Sequence, residues 1–211
     1  MISLSNARYE EIKQIAVDMF VKYDVTCVPV NGFELATKMG IKIIPYSAFP
    51  ESKQCLLMKK SEDGFSVEKN IGEWYIYYND KKDYGRINNT IMHEIGHIVL
   101  DHSEDSELAE KEVKFFAKYA LVPPVLVHKL KLDNPYDISD IFDVSFEAAC
   151  YAHSYYKKWL QYGSADYTNY EITLLNLFQD DALFEDILSQ KCICGKSFME
   201  LIKEIHVEEI F

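Results

Sequence analysis

The chain has 211 residues, 48% of them hydrophobic, and carries 22 Lys plus Arg against 34 Asp plus Glu for a formal charge of −12. That is enough apolar chain for one domain, or one domain with a small appendage. It is too acidic to favour binding to a nucleic-acid backbone or to an anionic membrane surface, whereas neutral or basic protein segments remain acceptable partners.

The N-terminus, Met1-Ile2-Ser3-Leu4-Ser5-Asn6, has no basic segment leading into an apolar one, so no signal peptide is expected. No apolar run approaches the roughly 18 residues of a membrane helix. The cysteines (27, 55, 150, 192 and 194) are odd in number and scattered, which points to a reducing cytoplasm rather than a disulfide framework.

In chain order, Ile12, Ile15, Ala16, Met19 and Phe20 form the stripe of an amphipathic helix over about Asn6–Tyr23. Asn31, three residues before Glu34, caps a short helix through Met39, and Gly40 suits a left-handed stop. Ile41–Ile44, ending at Pro45, reads as a strand. Gln54–Lys59 reads as a second strand, Ser61–Gly64 as a turn and Phe65–Glu68 as a third strand. Glu73–Tyr78, rich in aromatic residues, is the strongest strand signal. From Asn88 onward the pattern is helical, over 88–102, 107–121, 138–142, 145–160, 171–189 and 196–205. Pro123-Pro124 and Asn134-Pro135 punctuate this half. The expected architecture is α+β: residues 1–128 form a domain with a small antiparallel sheet and an active-site helix, and 129–211 form a mostly helical C-terminal region.

One pentapeptide carries chemistry. His93-Glu94-Ile95-Gly96-His97 places two imidazoles four residues apart on one helical face, where both can reach a metal ion. Glu94 is offset by about 100° from His93, so it addresses the metal's water rather than the metal. Ile87, Ile91, Ile95, Ile98 and Val99 fall on the opposite side and are expected to bury. The pattern points to zinc held by His93 and His97, with Glu94 taking a proton from water and passing it to the leaving amine.

Such a site needs a third protein ligand. Leu100 and Ser103 stand where an extended H-E-x-x-H-x-x-G-x-x-H motif requires Gly and His, so that class is excluded. The nearby donors are Asp101, His102, Glu104, Asp105, Glu107, Glu110 and Glu112. His102 would have to fold back sharply. Glu110 lies beside the stripe formed by Ala109, Val113, Phe116, Ala117 and Ala120, and a carboxylate so close to the core is costly unless ligated. Glu107 is the alternative. Glu112, about 200° around the helix from Glu110, cannot share its metal, so Glu112→Gln is expected to have little effect on metal binding.

The stretch Thr90–His102 resembles the active-site segment of the ImmA/IrrE family of metallo-endopeptidases. Trp74–Asp80 is similar to the strand before that segment. Glu110-Lys111-Glu112-Val113-Lys114-Phe115-Phe116-Ala117 and Leu121-Val122-Pro123 resemble the family's E-x-E-A-N-x-F-A…L-x-P stretch. The likeness runs over about residues 7–160. It departs at Val113 and Lys114, and at Ala152-His153 where an Arg often stands. The resemblance implies a zincin-like domain with the first Glu of the motif, Glu110, as the third ligand. It also implies a cytoplasmic helix-turn-helix repressor of a mobile element or stress response as substrate. A regulatory module that sequesters a transcription factor without cutting it is the alternative.

The remaining signals are weaker. Cys192-Ile193-Cys194 is half of a zinc knuckle without a second pair. Cys27, Cys55 and Cys150 read as small buried hydrophobes. The acidic segment 138–153 argues against DNA binding. His128, His153 and His206 read as surface or satisfied histidines, with His153 kept as a candidate oxyanion partner. An extended substrate is expected to add to the sheet beside Tyr75–Tyr78.

Overall fold

In the computed structural model, which describes residues 4–102, 104, 106–163 and 166–179, Ser5 accepts a hydrogen bond from the Arg8 N–H and opens helix α1 (Asn6–Lys22). Four residues of the predicted stripe, Ile12, Ala16, Met19 and Phe20, are withdrawn from solvent together with Val17, while Ile15 is half-buried. Asn31 caps α2 (Gly32–Lys38) through the Phe33 and Glu34 N–H groups. Gly40 then takes the left-handed conformation, φ +75°, that reverses the chain into strand β1 (Lys42–Pro45).

The next element corrects the sequence reading. Glu51–Lys60 is a helix, α3, not a strand over Gln54–Lys59. The short apolar run Cys55–Met58 was ambiguous by period. Its neighbours decide: Glu, Gln, Lys, Leu and Met are good helix formers, and no β-branched residue is present. Glu51 in the first turn and Lys59 and Lys60 in the last also complement the helix dipole. Strands β2 (Gly64–Asn70) and β3 (Glu73–Tyr78) follow.

The sheet has the order β1-β3-β2. It is mixed rather than wholly antiparallel: β1 runs parallel to β3, and β2 antiparallel to it. Ile76, at the centre of β3 between Ile43 and Ser66, is fully buried. Helix α4 (Tyr84–Val99) packs on β2 and β3, helix α5 (Glu107–Leu121) packs on α4, and α1 packs on α5. A buried side chain ties the early chain to α4. Asn88 Oδ1 accepts from the Gly32 N–H at 2.7 Å, and its Nδ2 donates to the Val30 carbonyl at 3.0 Å. These elements belong to one compact unit, Met1–Val25 with Val30–Leu121.

Thr26–Pro29 and the described residues from Val122 onward form a second unit. Pro123-Pro124 does more than punctuate: Pro124 takes the first turn of α6 (Pro124–Lys129), where a missing N–H is harmless. Helices α7 (Pro135–Phe142) and α9 (Asn169–Leu177) flank α6 and the longer α8 (Phe146–Tyr162) around Leu126, Leu130, Phe142 and Leu174. The buried Glu171 carboxylate accepts from Trp159 Nε1 at 2.7 Å and from the Thr168 N–H at 2.8 Å. The expected helix 196–205, the end of 171–189, Cys192, Cys194 and His206 lie outside the described residues. Cys27 and Cys55 are exposed and Cys150 is half-buried, which corrects their reading as core residues. No helix among the described residues is long and apolar enough to cross a membrane.

Candidate metal centre and active site

Helix α4 starts where Asp83 accepts from the Arg86 N–H, and a bidentate Arg86–Asp63 pair at 2.7 and 2.9 Å anchors that end beside the turn before β2. Ile91 and Ile95 are fully buried on the apolar side; Ile87, Ile98 and Val99 are half-buried. The opposite face presents His93 and His97, each with part of its ring open.

Gly96 determines what meets them. A Cβ at this position would stand 2.9 Å from Phe116 Cδ1 and 3.4 Å from Val113 Cβ, both on α5. Only a hydrogen fits, so α5 approaches α4 closely and its first turn delivers Glu110. Glu110 Oε1 lies 3.2 Å from His97 Nε2 and 3.6 Å from His93 Nε2. One donor atom from each of the three residues lies within 4.8 Å of the others. Tetrahedral ligands about 2.1 Å from a zinc ion stand about 3.4 Å apart, so the two His–Glu separations match the edges of such a shell.

The protonation states suit a cation. Burial holds His93 below the ordinary imidazole value, which favours the form with a free lone pair. Burial pushes the Glu110 carboxyl up, but His93, Lys114 and His97 together outweigh it and keep it below the usual carboxylate range. Two imidazoles and one carboxylate form a donor set appropriate to zinc.

Glu94 stands beside this cluster with 7% of its surface exposed. Its Oε2 accepts from the Ser66 N–H at 2.8 Å and from the Ser66 hydroxyl at 2.7 Å. Nothing in the sequence marked Ser66, which is one polar residue in a strand. Only the pairing of β2 against α4 brings it to the carboxylate.

His102 does fold back. Asp101 adopts φ +55°, its N–H reaches the Ile98 carbonyl at 3.3 Å, and the His102 N–H reaches the His97 carbonyl at 3.1 Å. This is a Schellman ending with Asp in the position usually held by Gly. It lays the His102 ring against His97, Nδ1 to Nδ1 at 3.3 Å. His102 Nε2 lies 2.9 Å from Glu112 Oε2, and Arg8 grips that carboxylate through Nε at 2.8 Å and Nη2 at 2.6 Å. Glu112 thus faces away from the metal cluster, as its helical offset requires. It nevertheless connects to His97 through His102, a link the sequence reading did not contain.

A cleft of about 720 Å³ opens over the cluster, bounded by Gly64–Glu68 of β2, Trp74, Glu94, His97 and Glu110. Its lining carries Glu68, Glu94, Glu104 and Glu110 against Lys60. The expectation that substrate pairs beside Tyr75–Tyr78 is corrected here. β3 is the central strand with both edges occupied, and the open edge at the cleft is that of β2. The structure brings His93, Glu94, His97 and Glu110 together in the first unit. His153 lies on α8 in the second unit, half-buried.

The family model for the IrrE N-terminal-like domain of peptidase family M78 matches residues 36–154, more than half of the chain. The chain belongs to this family. The matched span runs from α2 to the middle of α8 and contains the whole His93, Glu94, His97 and Glu110 cluster. The metallopeptidase character of the family and the donor set on the two helices therefore agree. No curated protein matches the sequence.

Proposed function

We propose that the protein is a zinc-dependent endopeptidase that cleaves a cytoplasmic protein, a helix-turn-helix repressor of a mobile element or stress response. The observation that carries the peptidase reading is the convergence of His93, His97 and Glu110 on one point, with the Glu94 carboxylate held beside it by Ser66. A zinc ion held by those three residues supplies a Lewis acid for the scissile carbonyl and activates water.

The chain's own groups do the rest. Ser66 fixes Glu94 Oε2 with two donors, which leaves Oε1 to take a proton from water and return it to the leaving amine. The open edge of β2 offers an extended peptide backbone hydrogen bonds at the mouth of the cleft. Four carboxylates against one lysine leave the lining net negative even with a divalent ion in place, which favours a neutral or basic segment, the charge expected of a DNA-binding partner.

The test is incubation of the zinc-loaded protein with the repressor, alongside Glu94→Gln. A single cut by the native protein is expected. Glu94→Gln is expected to bind both zinc and repressor without cutting. A repressor left intact by the native protein under every metal condition overturns the reading in favour of sequestration.

A further inference from the structure

His97 uses both ring nitrogens. Nε2 faces Glu110 in the metal cluster, and Nδ1 faces His102 Nδ1. A neutral imidazole has one donor nitrogen and one acceptor nitrogen, so the direction of the contact between the two rings matters. That direction is set from the far end. Arg8 has only donors, and its fork engages both oxygens of Glu112. Glu112 is buried, and with both oxygens taken by those donors its carboxylate acts as an acceptor only. His102 Nε2, at 2.9 Å from Oε2, must then carry its ring's proton. In the neutral ring His102 Nδ1 is left as an acceptor. His97 Nδ1 then donates to it, which leaves Nε2 to offer its lone pair to a cation lying between it and Glu110.

Resting on the reading of His93, His97 and Glu110 as a metal site, we propose that Arg8, Glu112 and His102 form a positioning chain that holds His97 in its metal-binding tautomer and orientation. The three residues come from three places: helix α1, helix α5 and the Schellman ending of α4. No two are neighbours in sequence. His102 is not a ligand, since both its nitrogens are engaged elsewhere, and Glu112 is not merely a buried partner for Arg8. Partners of this kind behind a ligating imidazole are worth about 10- to 100-fold in metal affinity.

The experiment compares wild type, His102→Ala, His102→Gln and Glu112→Gln for zinc affinity by chelator competition. It also compares the ¹⁵N shifts of the His97 ring in the metal-free proteins, each carrying Glu110→Ala so that no carboxylate competes for a proton at Nε2, at about pH 8.5, above the ordinary imidazole range. We expect His102→Ala to lose zinc affinity about 10-fold or more, and Glu112→Gln likewise, in place of the small effect expected from helical offset alone, because Glu112 reaches His97 through His102; the His97 proton should leave Nδ1 for a mixture of tautomers. His102→Gln, whose amide oxygen can still accept from Nδ1–H, should recover part of both. Unchanged affinity and an unchanged tautomer in folded His102→Ala overturn the proposal. So does a loss of affinity with the tautomer unchanged, because loosened packing alone would give that. Should Glu112→Gln fail to fold, His102→Ala decides, since it leaves the Arg8–Glu112 pair in place. A wild type that binds no zinc would overturn the metal-site reading instead.

Discussion

Gly96 faces Phe116 so closely that a methyl group on it would sit 2.9 Å from the ring. Phe116 is fully buried and cannot swing away. Gly96→Ala is therefore expected to lower stability by about 1–3 kcal/mol through overpacking, despite a helix-propensity gain of about 1 kcal/mol. It should also weaken zinc binding, because pushing α5 outward carries Glu110 from the two histidines. Thermal unfolding and chelator titration check both parts. A variant as stable and as tight as wild type would show that the approach of the helices does not position Glu110.

His93→Ala or His97→Ala should abolish stoichiometric zinc binding while circular dichroism stays near native, since Ile91 and Ile95 on the buried face are untouched. Glu110→Gln should weaken zinc by an order of magnitude or more, because an amide is a poorer ligand than the carboxylate now 3.2 Å from His97. Full zinc occupancy in both histidine variants would refute the site.

Ser66→Ala removes the hydroxyl donor to Glu94 but leaves the backbone N–H in place. Zinc affinity should be unchanged. The turnover rate should fall several-fold, about the effect of one hydrogen bond worth roughly 1 kcal/mol, with KM little altered. A fall in KM-related binding rather than in kcat would place Ser66 in substrate contact instead.

Tyr46 is buried, and its hydroxyl donates to the Ser61 carbonyl at 3.1 Å. Burial, and then the negative charges of Glu94 and Asp63, push its phenol up to about 12. A raised folded value means that the stabilising contribution is complete below the unfolded value of about 10. It is lost as pH rises from there through the folded value. Stability should therefore fall between about pH 10 and 12, and Tyr46→Phe should flatten that limb. An unaltered alkaline limb in Tyr46→Phe would assign the loss to other groups.

The local features of the site were legible in the residues themselves. His93 and His97 recur at the helical period, and Ile91 and Ile95 recur on the other side, so helix, buried face and ligand pair were one pattern. Glu110 was legible as a carboxylate beside an apolar stripe, and Asn31 and Gly40 marked the ends of α2 by their side-chain chemistry. Gln54–Lys59 was misread because a short apolar run has no decisive period and its helix, α3, buries no residue that could have stamped one on the sequence. The open edge of the sheet was misplaced because strand strength says nothing of strand order.

By itself the sequence determined that this chain carries two histidines at metal-ligand spacing on an amphipathic helix, with a carboxylate next to the first histidine and an acidic helix to follow. Those properties are periodic and local, set by which side chains share a face within a few turns. Only the tertiary structure decided that β2 rather than β3 borders the cleft, that Ser66 holds Glu94, and that Arg8, Glu112 and His102 reach His97 from behind. Each of these joins residues far apart in the chain, up to 104 positions for Arg8 and Glu112. Hydrogen-bond direction between such residues depends on where packing places them, for which no local spacing leaves a signal.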